Sequence, residues 1–334
     1  MKKILLLGIF SGLILAACQF GAFHEKDTSK DRIHIIRYDK LLEEYITSGS
    51  FSSFQKMNMQ YRDMTTILIE DILELGDVSD DRATIKLKAF YSDTTLVRLR
   101  KDVAEKFKQI QPIEEDLQES FDYLKEQFPD LTVPQFYVQV TAFDESIILT
   151  DSLIGISLDK YMGRDYPLYE RFYYPYQRTT MIPERIVHDC VRIYLSKRFP
   201  FEFTKEYNYL DLMIYSGKVN YVTMKALGLK SAADYLGYTP EQKKWCKKNE
   251  RNIWNYMVTN NHLHATDPMI SRKYLLPAPF TAFFGCESPA LIGIWTGMQI
   301  VESYLKKNPD VSLEELIHST DNTRILEQAH YLKN

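Results

Sequence analysis

The chain is sparing with the residues that mark special architectures: four cysteines, 13 glycines and 13 prolines in 334 residues. So few cysteines, with no Cys-x-x-Cys pair, exclude a disulfide-stapled scaffold and a zinc ribbon. Glycine and proline at these levels exclude a collagen-like or low-complexity chain. No apolar run of spanning length follows residue 17, which excludes a polytopic helical membrane protein. Charge of one sign is never concentrated. The 41 basic and 45 acidic side chains give a formal net charge of -4, so no nucleic-acid footprint is expected. Also missing are a Gly-x-Ser-x-Gly elbow, a phosphate loop and a dinucleotide fingerprint.

What is abundant is aromatic surface: 13% of the chain, with 23 tyrosines. Such a chain can bury a sizeable core, with tyrosine hydroxyls expected at its boundary.

The first residues read as a processing signal. Lys2 and Lys3 form a basic start, and Ile4 to Ala17 is apolar apart from Gly8, Ser11 and Gly12. That length suits a signal peptide better than a membrane span. It ends in Leu15-Ala16-Ala17-Cys18, the lipobox pattern in which the cysteine is lipidated and becomes the mature N-terminus. A plain secretory signal with an incidental cysteine is the alternative. More than one acyl chain on Cys18 would give stable anchoring to the lipid bilayer. Gln19 replaces the aspartate that retains lipoproteins in the inner membrane, and residues 19–23 lack an acidic export cluster. By analogy these features point to an outer-membrane lipoprotein whose domain faces the periplasm. The other three cysteines, Cys190, Cys246 and Cys286, cannot all pair within one chain and are expected as buried thiols.

Three regions follow the signal (1–17) and the lipidated tether (18–31), all within one globular domain over 32–334. Helical periodicity dominates 32–130, as in Leu117, Phe121, Leu124 and Phe128. Over 131–160 the period changes, and Val133–Ala142, Ser146–Thr150 and Leu153–Leu158 read as short strands of a small antiparallel sheet. Helices resume over 181–330, at about 183–198, 208–226, 239–260, 289–306 and 312–318. Strands in one block between helical blocks predict a predominantly helical α+β fold, the small sheet packed with helices.

Chemistry is sought first in the helix after the sheet. Zincin metalloproteases carry His-Glu-x-x-His there, two imidazoles one turn apart on zinc with a glutamate activating water. Here His188 fills the first ligand slot and Asp189 the base slot, but Arg192, a permanent cation, stands in the second ligand slot. The following helix, starting near Asp211, has Ser216 where a third, glutamate ligand is expected. These residues define a candidate cleft with a degenerate zincin-like core and neither metal nor cofactor, in which Asp189, Asp211 or Glu250 is expected to pair with Arg192. The plainer alternative makes His188 a hydrogen-bonded core histidine. His262, His264 and Asp267 read as a solvated loop. The helix after Ser288-Pro289 carries Gly293 and Gly297 on one face, a device for close helix packing, with Ser288 as its N-cap.

The chain resembles the GldB family of gliding-motility lipoproteins of Bacteroidota. The likeness rests on separated matches in order. They include Ile35-Ile36-Arg37-Tyr38-Asp39, the stretch from Ser157 to Gly163, Ile182-Pro183, and Leu212 to Lys218. Later come Leu236-Gly237-Tyr238-Thr239 with Gln242, Trp245, Asn249-Glu250, Ser288-Pro289, and Gly293, Trp295 and Gly297. The resemblance implies an accessory of the gliding or envelope machinery that engages other proteins of that machinery. It supplies no catalytic residue, and the family in turn is similar to a predicted zinc-peptidase family while lacking its ligands. The competing readings are a hydrolase, zinc-dependent or otherwise, with a non-standard site built from His188, Asp189, Glu250 and the His264/Asp267 loop, and a ligand-binding lipoprotein with an aromatic cleft at Tyr173, Tyr174 and Tyr176.

Overall fold

Four short strands form one mixed sheet in a computed structural model that describes residues 32–203 and 206–332. The expected signal, the Cys18 anchor and the tether lie outside the described residues. The strands are β1 (Ile35–Ile36), β2 (Gln135–Gln139), β3 (Ile147–Leu149) and β4 (Leu153–Ser157), in the order β1-β2-β4-β3. The last three are those the alternating pattern predicts. The sheet, however, is not antiparallel throughout. β3 and β4 are an antiparallel hairpin, whereas β2 runs parallel to both β1 and β4. Alternation fixes the face each residue takes and says nothing about strand direction. A two-residue strand such as β1 carries no period at all.

Parallel strands are commonly covered on both faces, and β4 is buried throughout. Phe136, Val138, Ile154 and Ile156 enter one core with Leu117, Phe121 and Leu124. Tyr137 and Leu153 enter another with Tyr38, Leu42, Leu68, Leu87 and Tyr91. Gly155 stands opposite Tyr137 and leaves room for its ring: a Cβ there would lie 2.4 Å from the ring carbon bearing the hydroxyl.

The longer helices are α1 (Tyr38–Ser48), α2 (Asp81–Tyr91), α3 (Thr94–Lys106) and α4 (Gln111–Gln127) before the main strands. After them come α5 (Ile186–Arg198), α6 (Tyr209–Ala226), α7 (Pro240–Thr259), α8 (Pro268–Leu275) and α9 (Ile292–Lys307). Two short helices, α10 (Leu313–His318) and α11 (Asn322–Ala329), follow, and further helices of four or five residues lie between the longer ones. The α+β, predominantly helical reading holds. Ile33–Asn334 packs as one compact unit. Among the described residues no helix is long and apolar enough to cross a membrane.

Local sequence explains several of the ends. Thr239 caps α7 reciprocally with Gln242, Thr239 Oγ1 accepting from the Gln242 N–H and Gln242 Oε1 from the Thr239 N–H, with Pro240 in the first turn. Ser288 does not cap α9. The helix begins at Ile292 behind Leu291, whose φ is +61°, and the Ser288 hydroxyl donates to Gly285 and Thr281 instead. The expected close-packing face is present: Gly297 lies against Met213 and Gly217 of α6, and Gly293 against Tyr209 and Tyr274.

Tyrosine departs from its expected place at the core boundary. Tyr38, Tyr91, Tyr137, Tyr161, Tyr169, Tyr209, Tyr235 and Tyr274 are among the largest fully buried side chains. Two of them satisfy their hydroxyls by donating to backbone carbonyls, Tyr91 to Val140 and Tyr169 to Asp159, and Tyr38, Tyr161 and Tyr235 donate to side chains. Cys190 and Cys246 are buried thiols as expected, but Cys286 is exposed in the turn before Ser288.

Candidate functional site: the His188–Asp189 cluster

A short 3-10 turn, Pro183–Arg185, feeds α5, so Arg185 and Asp189 stand one turn apart on the same side. His188 is 4% exposed and its ring stacks on Tyr235, centroids 4.3 Å apart. Its Nδ1 is 3.1 Å from Asp189 Oδ1. The carboxylate can only accept, so Nδ1 carries the proton and Nε2 keeps its lone pair. That Nε2 is buried and has no hydrogen-bond partner among the described residues. Asp189 also accepts from the Tyr161 hydroxyl at 3.0 Å, and Arg185 Nη2 lies 3.9 Å away. Arg185 Nη1 donates to the Tyr235 carbonyl at 2.9 Å, and the Tyr235 hydroxyl donates to Asn220 Oδ1 on α6 at 2.6 Å. A chain of polar contacts thus links α5, the segment after β4, the turn bearing Tyr235, and α6.

The charges follow the contacts. Burial pushes the His188 imidazole down to about 4, against the pull of Asp189, with Arg185 adding to the fall. Burial would raise Asp189, but His188 and Arg185 outweigh it and hold the carboxyl below its usual range. Burial takes the Tyr161 hydroxyl well above its ordinary value, and the Asp189 charge adds to that. The cluster is therefore a neutral imidazole, an ionised carboxylate and a cation.

A histidine whose folded pKa is depressed stabilises the fold above its unfolded value, near 6.5, and that stability is lost as pH falls toward 4. Between pH 7 and pH 5 the loss from His188 is about 2 kcal/mol. Urea unfolding of wild type should show it, and His188→Gln should lose clearly less over the same interval. An equal pH dependence in both proteins would contradict the neutral, buried imidazole.

Of the other sequence-selected residues only Arg192 stands close enough for its charge to act on His188 and Asp189. Among the described residues Arg192 forms no ion pair, and the cation on Asp189 is Arg185. Asp211 belongs to the α6 cap, accepting from the Asn208 N–H and from Asn322 Nδ2. Glu250 accepts from Tyr331 at 2.8 Å, in the core built on α7 and α9. Ser216 lies one turn before Asn220, which donates to its carbonyl, while the adjacent Gly217 is the contact with α9. Asp267 caps α8, and His262 lies against the Tyr274 hydroxyl at 2.9 Å. Among the described residues no group of three or more His, Cys, Asp or Glu could hold a metal ion. Sequence reasoning missed Arg185, Tyr161, Tyr235 and Asn220. Only Arg185 left a signal, its i, i+4 spacing to Asp189.

The fold and this cluster define a helical α+β protein with a small mixed sheet and a buried histidine–aspartate–arginine–tyrosine network. The chain belongs to the family described as gliding motility protein GldB, whose match spans residues 23–333. No curated protein and no solved structure matches the chain.

Proposed function

We propose that the chain acts as a lipid-anchored, non-catalytic interaction component of the gliding and envelope machinery, held at the outer membrane with its domain in the periplasm. The observation that carries this reading is family membership over residues 23–333, joined to Leu15-Ala16-Ala17-Cys18 directly upstream of that span. A non-catalytic role is supported by how His188 is used. A catalytic zinc needs several ligands around an open coordination position. Here Tyr235 covers the one imidazole, and its charged neighbours are two arginines and a carboxylate already engaged by Tyr161. The unpaired Nε2 is the single feature that favours the alternative of a zinc-dependent hydrolase. Partners on this reading are the bilayer, through the lipid on Cys18, and other proteins of the machinery.

The anchor is tested by feeding cells an alkyne fatty acid and recovering the chain. Wild type should label, and Cys18→Ser should lose the label because serine offers no thiol to the lipid donor. An unlabelled wild-type chain would defeat the anchor. Protease added to intact cells should leave the domain intact, and rapid digestion would place it on the cell surface.

A further inference from the structure

A cleft of about 340 Å³ opens between α6, the end of α5 and the α10–α11 connection. Its volume is that of a small-molecule site. Lys218 of α6 lines it although only 4% exposed. The ammonium donates to the Ser319 carbonyl at 2.6 Å and forms no ion pair among the described residues. Among the described residues two of its three N–H groups therefore have no acceptor, on a buried cation that needs an anion. Burial draws the Lys218 amine down to about 8, with Asp211 on the same helix pulling the other way.

Beside it stands a second unmet group. Asn322 is 8% exposed, and its Nδ2 donates to Asp211 at 3.0 Å, but its buried Oδ1 has no partner among the described residues. The walls are aromatic: Phe201 packs on Tyr215 at 5.2 Å between centroids, and Phe199 on His318 at 5.1 Å. Asp211, Glu202 and Glu206 line the cleft with the basic side chains of Lys218 and Arg198. Three carboxylates against two basic groups repel a doubly charged phosphate more strongly than a singly charged anion.

We propose that this cleft binds the carboxylate of an amino-acid-like molecule or a peptide C-terminus. Lys218 takes the carboxylate, Asn322 accepts from the neighbouring N–H, and the aromatic wall receives the apolar side chain. Nothing in this rests on the His188 cluster or on the lipid anchor.

The test is calorimetric titration of the full chain, in detergent, with N-acetylphenylalanine, acetyl-Ala-Ala-Phe and the C-terminal amide of each. The acids should bind roughly ten- to a hundredfold tighter than the amides, the range of a charge-assisted hydrogen bond. Lys218→Met keeps the buried stem and should reduce the acids to the level of the amides without lowering the melting temperature. Should that variant fail to fold, Phe201→Ala on the half-buried wall should weaken both acids. A tighter tripeptide identifies a peptide end as the source, and a tighter N-acetylphenylalanine identifies a small molecule. Equal binding of acids and amides, phenyl phosphate binding as tightly as the acids, or no saturable binding of either acid would overturn the proposal.

Discussion

Gly297→Ala is expected to destabilise the protein by about 3 kcal/mol, although alanine is the better helix former. Propensity alone predicts the opposite sign, a gain of about 1 kcal/mol for replacing a mid-helix glycine. Packing decides the outcome. A Cβ at position 297 would stand 2.2 Å from the Met213 carbonyl oxygen and 3.2 Å from the Gly217 Cα. Both neighbours are backbone, so no side-chain rotation relieves the clash, and α6 and α9 must move apart. The two helices bury Met213, Ile214, Trp295, Met298, Ile300 and Val301 in one core, so separation thins that core as well. Gly217→Ala meets Gly297 at 2.4 Å and should behave alike. Chemical denaturation checks both. A Gly297→Ala protein as stable as wild type would mean that the helices do not touch here.

Asp189→Ala is expected to cost about 3 kcal/mol, because one carboxylate answers three groups. Without it the Tyr161 hydroxyl, 1% exposed, loses its acceptor, His188 Nδ1 loses its partner, and Arg185 loses its nearest anion. Asp189→Asn keeps an acceptor of the same shape and should cost less than half as much. On the proposed non-catalytic reading, biological function per folded molecule should be unchanged in both. Denaturation midpoints beside a functional assay normalised to folded protein separate the two effects. Equal losses from alanine and asparagine would show that hydrogen bonding to Tyr161 is not what the carboxylate supplies.

Much of this was legible in the sequence, and the limits are physical. The helices α5, α6, α7, α9 and α10 fall close to their expected spans because long amphipathic periods and caps such as Thr239 with Gln242 are local signals. Gly293 and Gly297 announced a close approach, but their partner did not. Gly217 sits beside Ser216, at a position the zincin comparison drew toward metal chemistry, and only the fold reveals that it faces Gly297. The parallel pairing of β2 and β4 was hidden because direction leaves no trace in an alternating pattern. The site was half legible. His188 and Asp189 stand together as neighbours in sequence must, whereas Tyr161 and Tyr235 arrive from 28 residues before Asp189 and from a turn between α6 and α7. Lys218 looked like any helical lysine until its burial was known.

If His188 is a structural residue and not a metal ligand, metal analysis of the full chain should show it. Protein purified without chelators from cells grown in zinc-supplemented medium is assayed by mass spectrometry for bound metals, beside His188→Gln. Zinc well below one ion per chain is expected, with the same residual content in the variant. Stoichiometric zinc in the wild type, lost in a folded His188→Gln protein, would contradict it and make the unpaired Nε2 a ligand.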